Sequence, residues 1–217
     1  MNQNESDKDT SCGSDSCSSS EAFCCARDCA DCDKDDAEAA LASGLVYAGV
    51  LYPELKQHDE EKAIHYLRQS IEAGDKQAIK LLMDAYLTGK IAGCDCSIKA
   101  DYNRWLKLCE ELANKGHQQV AYSAALWFAG IEKPGKDVDE CIKARFKPDA
   151  DKAIYFLRVC SRGEDPDYSD LAVNTLCHLL TRGNDTVKSD ASRLETVLKE
   201  EVAKGNSFAQ AYLSKFF

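Results

Sequence analysis

Six of the twelve cysteines fall in the first 36 residues, and four of them, Cys24, Cys25, Cys29 and Cys32, lie within nine positions. Thiolates that dense can close around Zn or another thiophilic metal, at Zn–S distances of about 2.3 Å. Cys29-x-x-Cys32 is the spacing of a metal-ligand pair, and equally of a redox pair. Structural zinc sites usually join two such pairs across a longer loop, and this stretch has no second pair. The alternative is a set of thiols that stay reduced or pair heterogeneously. Ten acidic and three basic side chains surround them. That field attracts cations and opposes a low thiol pKa.

A sparser set lies further on. Gly93-Cys94-Asp95-Cys96 and the run from Glu132 to Cys141 read as loops. If successive helix pairs stack about 8–10 Å apart, such loops share an edge. Cys94, Cys96 and Cys141, with His58 one step further, then form a second candidate metal site or disulfide. Cys109, Cys160 and Cys177 lie in helical patterns and read as core residues. His58, His65, His117 and His178 have no neighbouring nucleophile and read as packed or solvated. Glu110-Glu111 and Glu200-Glu201 read as solvated helix faces. Trp105 and Trp127 read as packing residues, Trp127 with an edge open to a groove. There is no Gly-rich phosphate loop and no His-Glu-x-x-His.

The elements that position these residues follow from the rest of the chain. Its 217 residues carry a net charge of -10. Residues 1–36 are an acidic Ser/Cys-rich arm that lacks Leu, Ile and Val. The arm cannot bury enough apolar surface to order itself, so it reads as disordered. It has no apolar core of a signal peptide, and no run approaches the ~18 apolar residues of a membrane span. These readings point to a cytoplasmic protein without membrane partners. The remaining residues hold 27 acids against 24 bases, which argues against nucleic acid as a partner.

Residues 37–217 repeat. Ile71-Glu-Ala-Gly74, Ala113-Asn-Lys-Gly116, Cys160-Ser-Arg-Gly163 and Val202-Ala-Lys-Gly205 mark four similar ends. Apolar residues at spacing four follow or precede them: Ala39/Ser43/Tyr47, Ala78/Leu82/Tyr86, Val120/Ala124/Phe128, Ala172/Leu176/Leu180 and Ala209/Leu213/Phe217. After Gly163 a longer loop, Glu-Asp-Pro-Asp-Tyr-Ser-Asp, is expected first. Gly89, Gly130 and Gly183 suit helix stops. A second helix starts at an Asp N-cap and ends at a marker glycine, clearest at Asp59–Gly74 and Asp149–Gly163, which share Lys-Ala-Ile-x-x-Leu-Arg. No strand signal appears. The reading is all-α. Units span about 37–74, 75–116, 117–163 and 164–205, with a cap at 206–217.

The motif Ala78-x-x-x-Leu82-x-x-x-Tyr86-x-x-Gly89, together with Asp59-x-x-Lys-Ala-x-x-Tyr-Leu-Arg68 and its closing Gly74, resembles the Sel-one-like repeat family, relatives of tetratricopeptide repeats. The second and fourth units lack the Lys-Ala pair. The resemblance implies a right-handed α-α superhelical solenoid of about four helix hairpins plus a C-terminal capping helix. It also implies a non-catalytic adaptor that binds a protein or peptide along its concave face, with no cofactor. Lys80, Asp84, Ser123, Trp127, Asn174 and His178 are the residues expected on that face. Bacterial relatives stapled by disulfides repeat a helix-pair of cysteines. That pair does not recur here, which argues for a reducing compartment. The other functional reading is a metal- or thiol-redox protein that uses the arm, with the repeats as platform.

Overall fold

The computed structural model describes residues 36–133 and 135–217. These residues form ten α-helices. In chain order they are α1 (Ala37–Tyr47), α2 (Glu60–Glu72), α3 (Lys76–Thr88), α4 (Tyr102–Asn114), α5 (Gln118–Phe128), α6 (Glu140–Arg145), α7 (Ala150–Cys160), α8 (Pro166–Arg182), α9 (Ala191–Ala203) and α10 (Ser207–Phe216). The chain divides into two compact units, one ending at Ile79 and the other running from Lys80 to Phe217.

The helices that close each hairpin, α2, α4, α7 and α9, are built alike. Each starts at an Asp (Asp59, Asp101, Asp149 or Asp190) whose carboxylate accepts from backbone N–H groups of the first turn. Four buried residues recur at the same distances from that Asp in every one. They are Ala63, Tyr66, Leu67 and Ser70 in α2, and Trp105, Leu108, Cys109 and Leu112 in α4. In α7 they are Ala153, Phe156, Leu157 and Cys160, and in α9 Leu194, Val197, Leu198 and Glu201. This is the i, i+3, i+4, i+7 stripe of a helix with one buried face. Each capping Asp also donates its own N–H to a carbonyl in the last turn of the opening helix of its hairpin. Asp59 bonds Tyr47 (3.0 Å), Asp101 bonds Tyr86 (2.8 Å), Asp149 bonds Phe128 (2.8 Å) and Asp190 bonds Leu180 (2.7 Å).

In the first unit α1 packs against α2. Tyr47 and Tyr66 stack with centroids 5.6 Å apart, and the Ser70 hydroxyl donates to the Ala37 carbonyl at 2.7 Å. In the second unit α5 packs on α7 and α8, and α4 packs on α5 and α7. Helix α10 packs on α8 and α9. Only Ala209 of α10 is buried, while Phe216 and Phe217 stay exposed.

Several expectations need correction. In the first four copies the spacing-four series is buried at its last two positions, but Ala39 and Val120 are only half-buried, and Ala40 and Ala121 take the core; in the fifth, Ala209 is buried, Leu213 half-buried and Phe217 exposed. Steps of four advance about 40° beyond a full turn, so three in a row drift off a straight face. The stretch after Gly163 is not a long loop. Asp165 caps α8, Pro166 fills its first turn, and Ser169 is already buried. A strand pair does occur, Lys90–Ile91 with Cys94–Asp95. It turns through Ala92 (φ 51°) and Gly93 (φ 82°), the positive-φ pair of a type I′ turn. Two residues per strand are too few to leave an alternating pattern. The run to Cys141 is not all loop either, because Asp139 caps the short helix α6.

The marker glycines divide by role. Gly74, Gly116 and Gly205 have φ of 86–95°, and the residue after each donates five positions back, which closes the helix. Gly163 has no such conformation. A Cβ there would fall 2.0 Å from Cδ of Gln118. The buried Gln118 amide donates to the carbonyls of Cys160 (2.9 Å) and Asp165 (3.0 Å) and to the Ser169 hydroxyl (3.0 Å). Its oxygen accepts from the Asp165 N–H at 2.7 Å. This side chain ties α5 to the turn between α7 and α8. Gly163→Ala should therefore cost about 1–3 kcal/mol in urea unfolding. In a Gln118→Ala background the same change should cost much less. Additive costs would show that the two residues do not compete for this space.

Candidate functional site

The first helix of each hairpin keeps one face for the core and leaves another open. On α5, Gln118, Ala121, Ala124, Ala125 and Phe128 are buried, while Ser123 is exposed and Trp127 half-buried. On α8, Asn174 and His178 are exposed beside Leu171, which is 42% exposed. The two helices meet at Tyr122 and Thr175, whose hydroxyl oxygens are 3.1 Å apart, and Tyr122 lies edge-on to Tyr168 at 6.1 Å. Ser123, Trp127, Asn174 and His178 thus lie on two packed helices. On α3, Lys80 is exposed and Asp84 half-buried. Burial raises the Asp84 pKa, and the Lys80 charge partly offsets that rise.

Trp127 has an aromatic bed. It stacks on Trp105 at 5.3 Å and meets the edge of Phe146 at 5.0 Å. Phe146 follows α6 directly and also stacks on Phe128 at 5.6 Å. The inserted helix therefore supplies one wall of the bed. Its start is fixed by a hydrogen bond from the Asp139 N–H to the Leu87 carbonyl at 2.9 Å, and by burial of Val138 and Ile142. Trp105 is buried and its indole N–H has no acceptor among the described residues.

The thiol chemistry stands differently. Cys24, Cys25, Cys29 and Cys32 lie outside the described residues. Cys94 and Cys141 are exposed and have no disulfide partner among the described residues, and Cys96 donates to the Gly89 carbonyl at 3.3 Å. Among the described residues no three His, Cys, Asp or Glu side chains gather as a metal site. The loops containing Cys94, Cys96 and Cys141 are drawn instead into a hairpin and a helix start. His58 lies against Gly49. Cys109, Cys160 and Cys177 are buried, and burial pushes the Cys160 thiol up to about 12 and Cys177 up to about 11. These thiols are unreactive at neutral pH. Among the described residues, no helix is long and apolar enough to cross a membrane. No protein-family model matches the chain, and no curated protein matches it.

Glu201 overturns the reading of Glu200-Glu201 as a solvated pair. It is 1% exposed and stands in a core column where the equivalent residues are Ser70, Leu112 and Cys160. Two arginines from the hairpin before it neutralise its charge. Arg158 Nε donates to Oε1 at 2.7 Å. Arg162 grips both oxygens, Nε on Oε2 and Nη2 on Oε1, each at 2.6 Å. Arg158 also bonds Glu200 at 2.5 Å. Burial alone would raise the Glu201 pKa, but the guanidinium hydrogen bonds outweigh it and hold the carboxyl below its usual range. The signal was in the sequence, at the eleventh residue after Asp190, and aligning the four capping aspartates reveals it.

A depressed carboxyl pKa contributes stability above the unfolded value, near 4.3, and loses it as pH falls through the folded value. Breaking the cluster at pH 7 should cost about 3–5 kcal/mol, since Arg162 loses its carboxylate partner and Arg158 loses one of two. Glu201→Gln should therefore be strongly destabilised at pH 7, and the gap to wild type should narrow below pH 4. A gap that stays constant from pH 7 to pH 3 would contradict a charged Glu201.

Proposed function

We propose that this protein is a non-catalytic scaffold of the Sel-one-like kind. In this reading four hairpins stack as a right-handed superhelix, with α10 as the cap. The recurrent core register of α2, α4, α7 and α9 supports the stack, as does the backbone hydrogen bond that recurs in each hairpin. Stacked hairpins cover faces that none could cover alone.

The first helices would line the concave side and take a protein or peptide partner. The observation that carries this is the surface of α5 and α8, joined at Tyr122–Thr175. It combines solvent-facing polar residues (Ser123, Asn174, His178) with apolar ones (Trp127, Leu171). Trp127 has the properties of a binding anchor. It is large, half-exposed and held from behind by Trp105 and Phe146. Lys80 and Asp84 would extend the surface along α3.

Cross-linking mass spectrometry of the full chain in native extract tests this. Partner cross-links should cluster on α5 and α8. Ser123→Arg combined with Asn174→Arg changes only exposed positions, so it should leave the melting temperature unchanged and weaken capture about ten-fold or more. Capture that survives in the double variant and vanishes when residues 1–35 are removed would sink the proposal. Stoichiometric zinc lost with the same truncation would favour metal binding by Cys24, Cys25, Cys29 and Cys32, with the helices as platform.

A further inference from the structure

A groove of about 340 Å³ runs between α7 and the start of α9, lined by Asp151, Ile154, Tyr155, Arg158, Val159, Arg162 and Arg193. Its volume lies at the small end of ligand clefts, about 300–1,000 Å³. Three guanidiniums and one carboxylate line it, in a chain whose net charge is -10. The buried Glu201 fixes Arg158 through Nε and Arg162 through Nε and Nη2, and Glu200 takes Nη2 of Arg158. Arg193 is bound only through Nη2, to the exposed Asp151 at 2.6 Å. Nη1 of all three arginines and Nε of Arg193 have no acceptor among the described residues. Pre-positioned guanidinium forks with free N–H groups match carboxylates in geometry and charge. Ile154 and Val159 add an apolar floor, and the Tyr155 ring is 41% exposed beside it.

We propose that this groove binds an acidic peptide segment, with carboxylates on the arginines and an apolar side chain over Ile154 and Tyr155. A small dicarboxylate would leave that apolar surface uncovered. A phosphate ion would likewise leave it uncovered. The groove is formed by the closing helices α7 and α9, so it is separate from the α5–α8 surface and does not rest on that reading.

Fluorescence anisotropy with a labelled Glu-Asp-Leu-Glu-Asp peptide and the full chain tests it. The Gln-Asn-Leu-Gln-Asn peptide should bind at least about ten-fold more weakly, as expected for loss of charge-assisted hydrogen bonds. Arg193→Gln leaves the Glu201 cluster intact and should weaken the acidic peptide about ten-fold. Asp151→Asn removes the competing carboxylate and should tighten it, a gain that loss of folding could not mimic. Equal binding of the two peptides, no change in either variant, or displacement by inorganic phosphate at lower concentration than by free glutamate would overturn the proposal.

Discussion

The structure depends on one recurrent backbone constraint. In each hairpin the N–H of the aspartate that caps the closing helix is donated to the carbonyl of a buried residue in the last turn of the opening helix. Both groups stand at helix ends, where the regular ladder leaves them without a partner. Joining them satisfies both and sets the closing helix in a fixed register over the opening one. The segments bridged differ greatly in length, from Leu180–Asp190 to Phe128–Asp149, yet the bond is conserved in geometry. The longest holds an extra helix, α6, and the residue that follows it, Phe146, stacks on the buried Phe128. With the register set, the same four columns are buried in all four closing helices.

Polar side chains then join one hairpin to the next within the second unit. Gln118 reaches the turn after α7, Asn184 donates to the Ala129 carbonyl at 2.8 Å, and Asn206 donates to the Ser161 carbonyl at 2.7 Å. The Arg158–Glu201–Arg162 cluster adds a buried charge pairing between α7 and α9. Such contacts add directional specificity to apolar packing, which alone tolerates slippage. They also bear on binding. The lock that holds Glu201 is what keeps two guanidiniums in place at the rim of the groove. The aromatic core that buries Trp105 is what supports Trp127 at the surface.

Much of the fold was legible because helix pairs leave strong local marks. The capping aspartates Asp59 and Asp149, the stops at Gly89, Gly130 and Gly183, and the buried pairs Leu82/Tyr86 and Leu176/Leu180 all rest on helical periodicity and end chemistry. What escaped depends on partners distant in sequence. Gly163 looks like any closing glycine until Gln118, 45 positions earlier, is seen to need its space. Glu201 looks solvated until Arg158 and Arg162 are placed against it. The turn at Ala92-Gly93 is too short for a strand pattern. The candidate face could be read from helical spacing, but its join at Tyr122–Thr175 and the aromatic bed under Trp127 required the packing.

The most direct test is native-state hydrogen exchange read at individual amides. Asp59, Asp101, Asp149 and Asp190 each precede a helix, where an amide bonded only to water exchanges quickly. All four should be protected nearly as strongly as the core amides of the helices they cap, because their N–H groups hold the hairpins closed. Exchange at the rate of exposed loop amides, with the helices themselves protected, would show that the hairpins are held by something else.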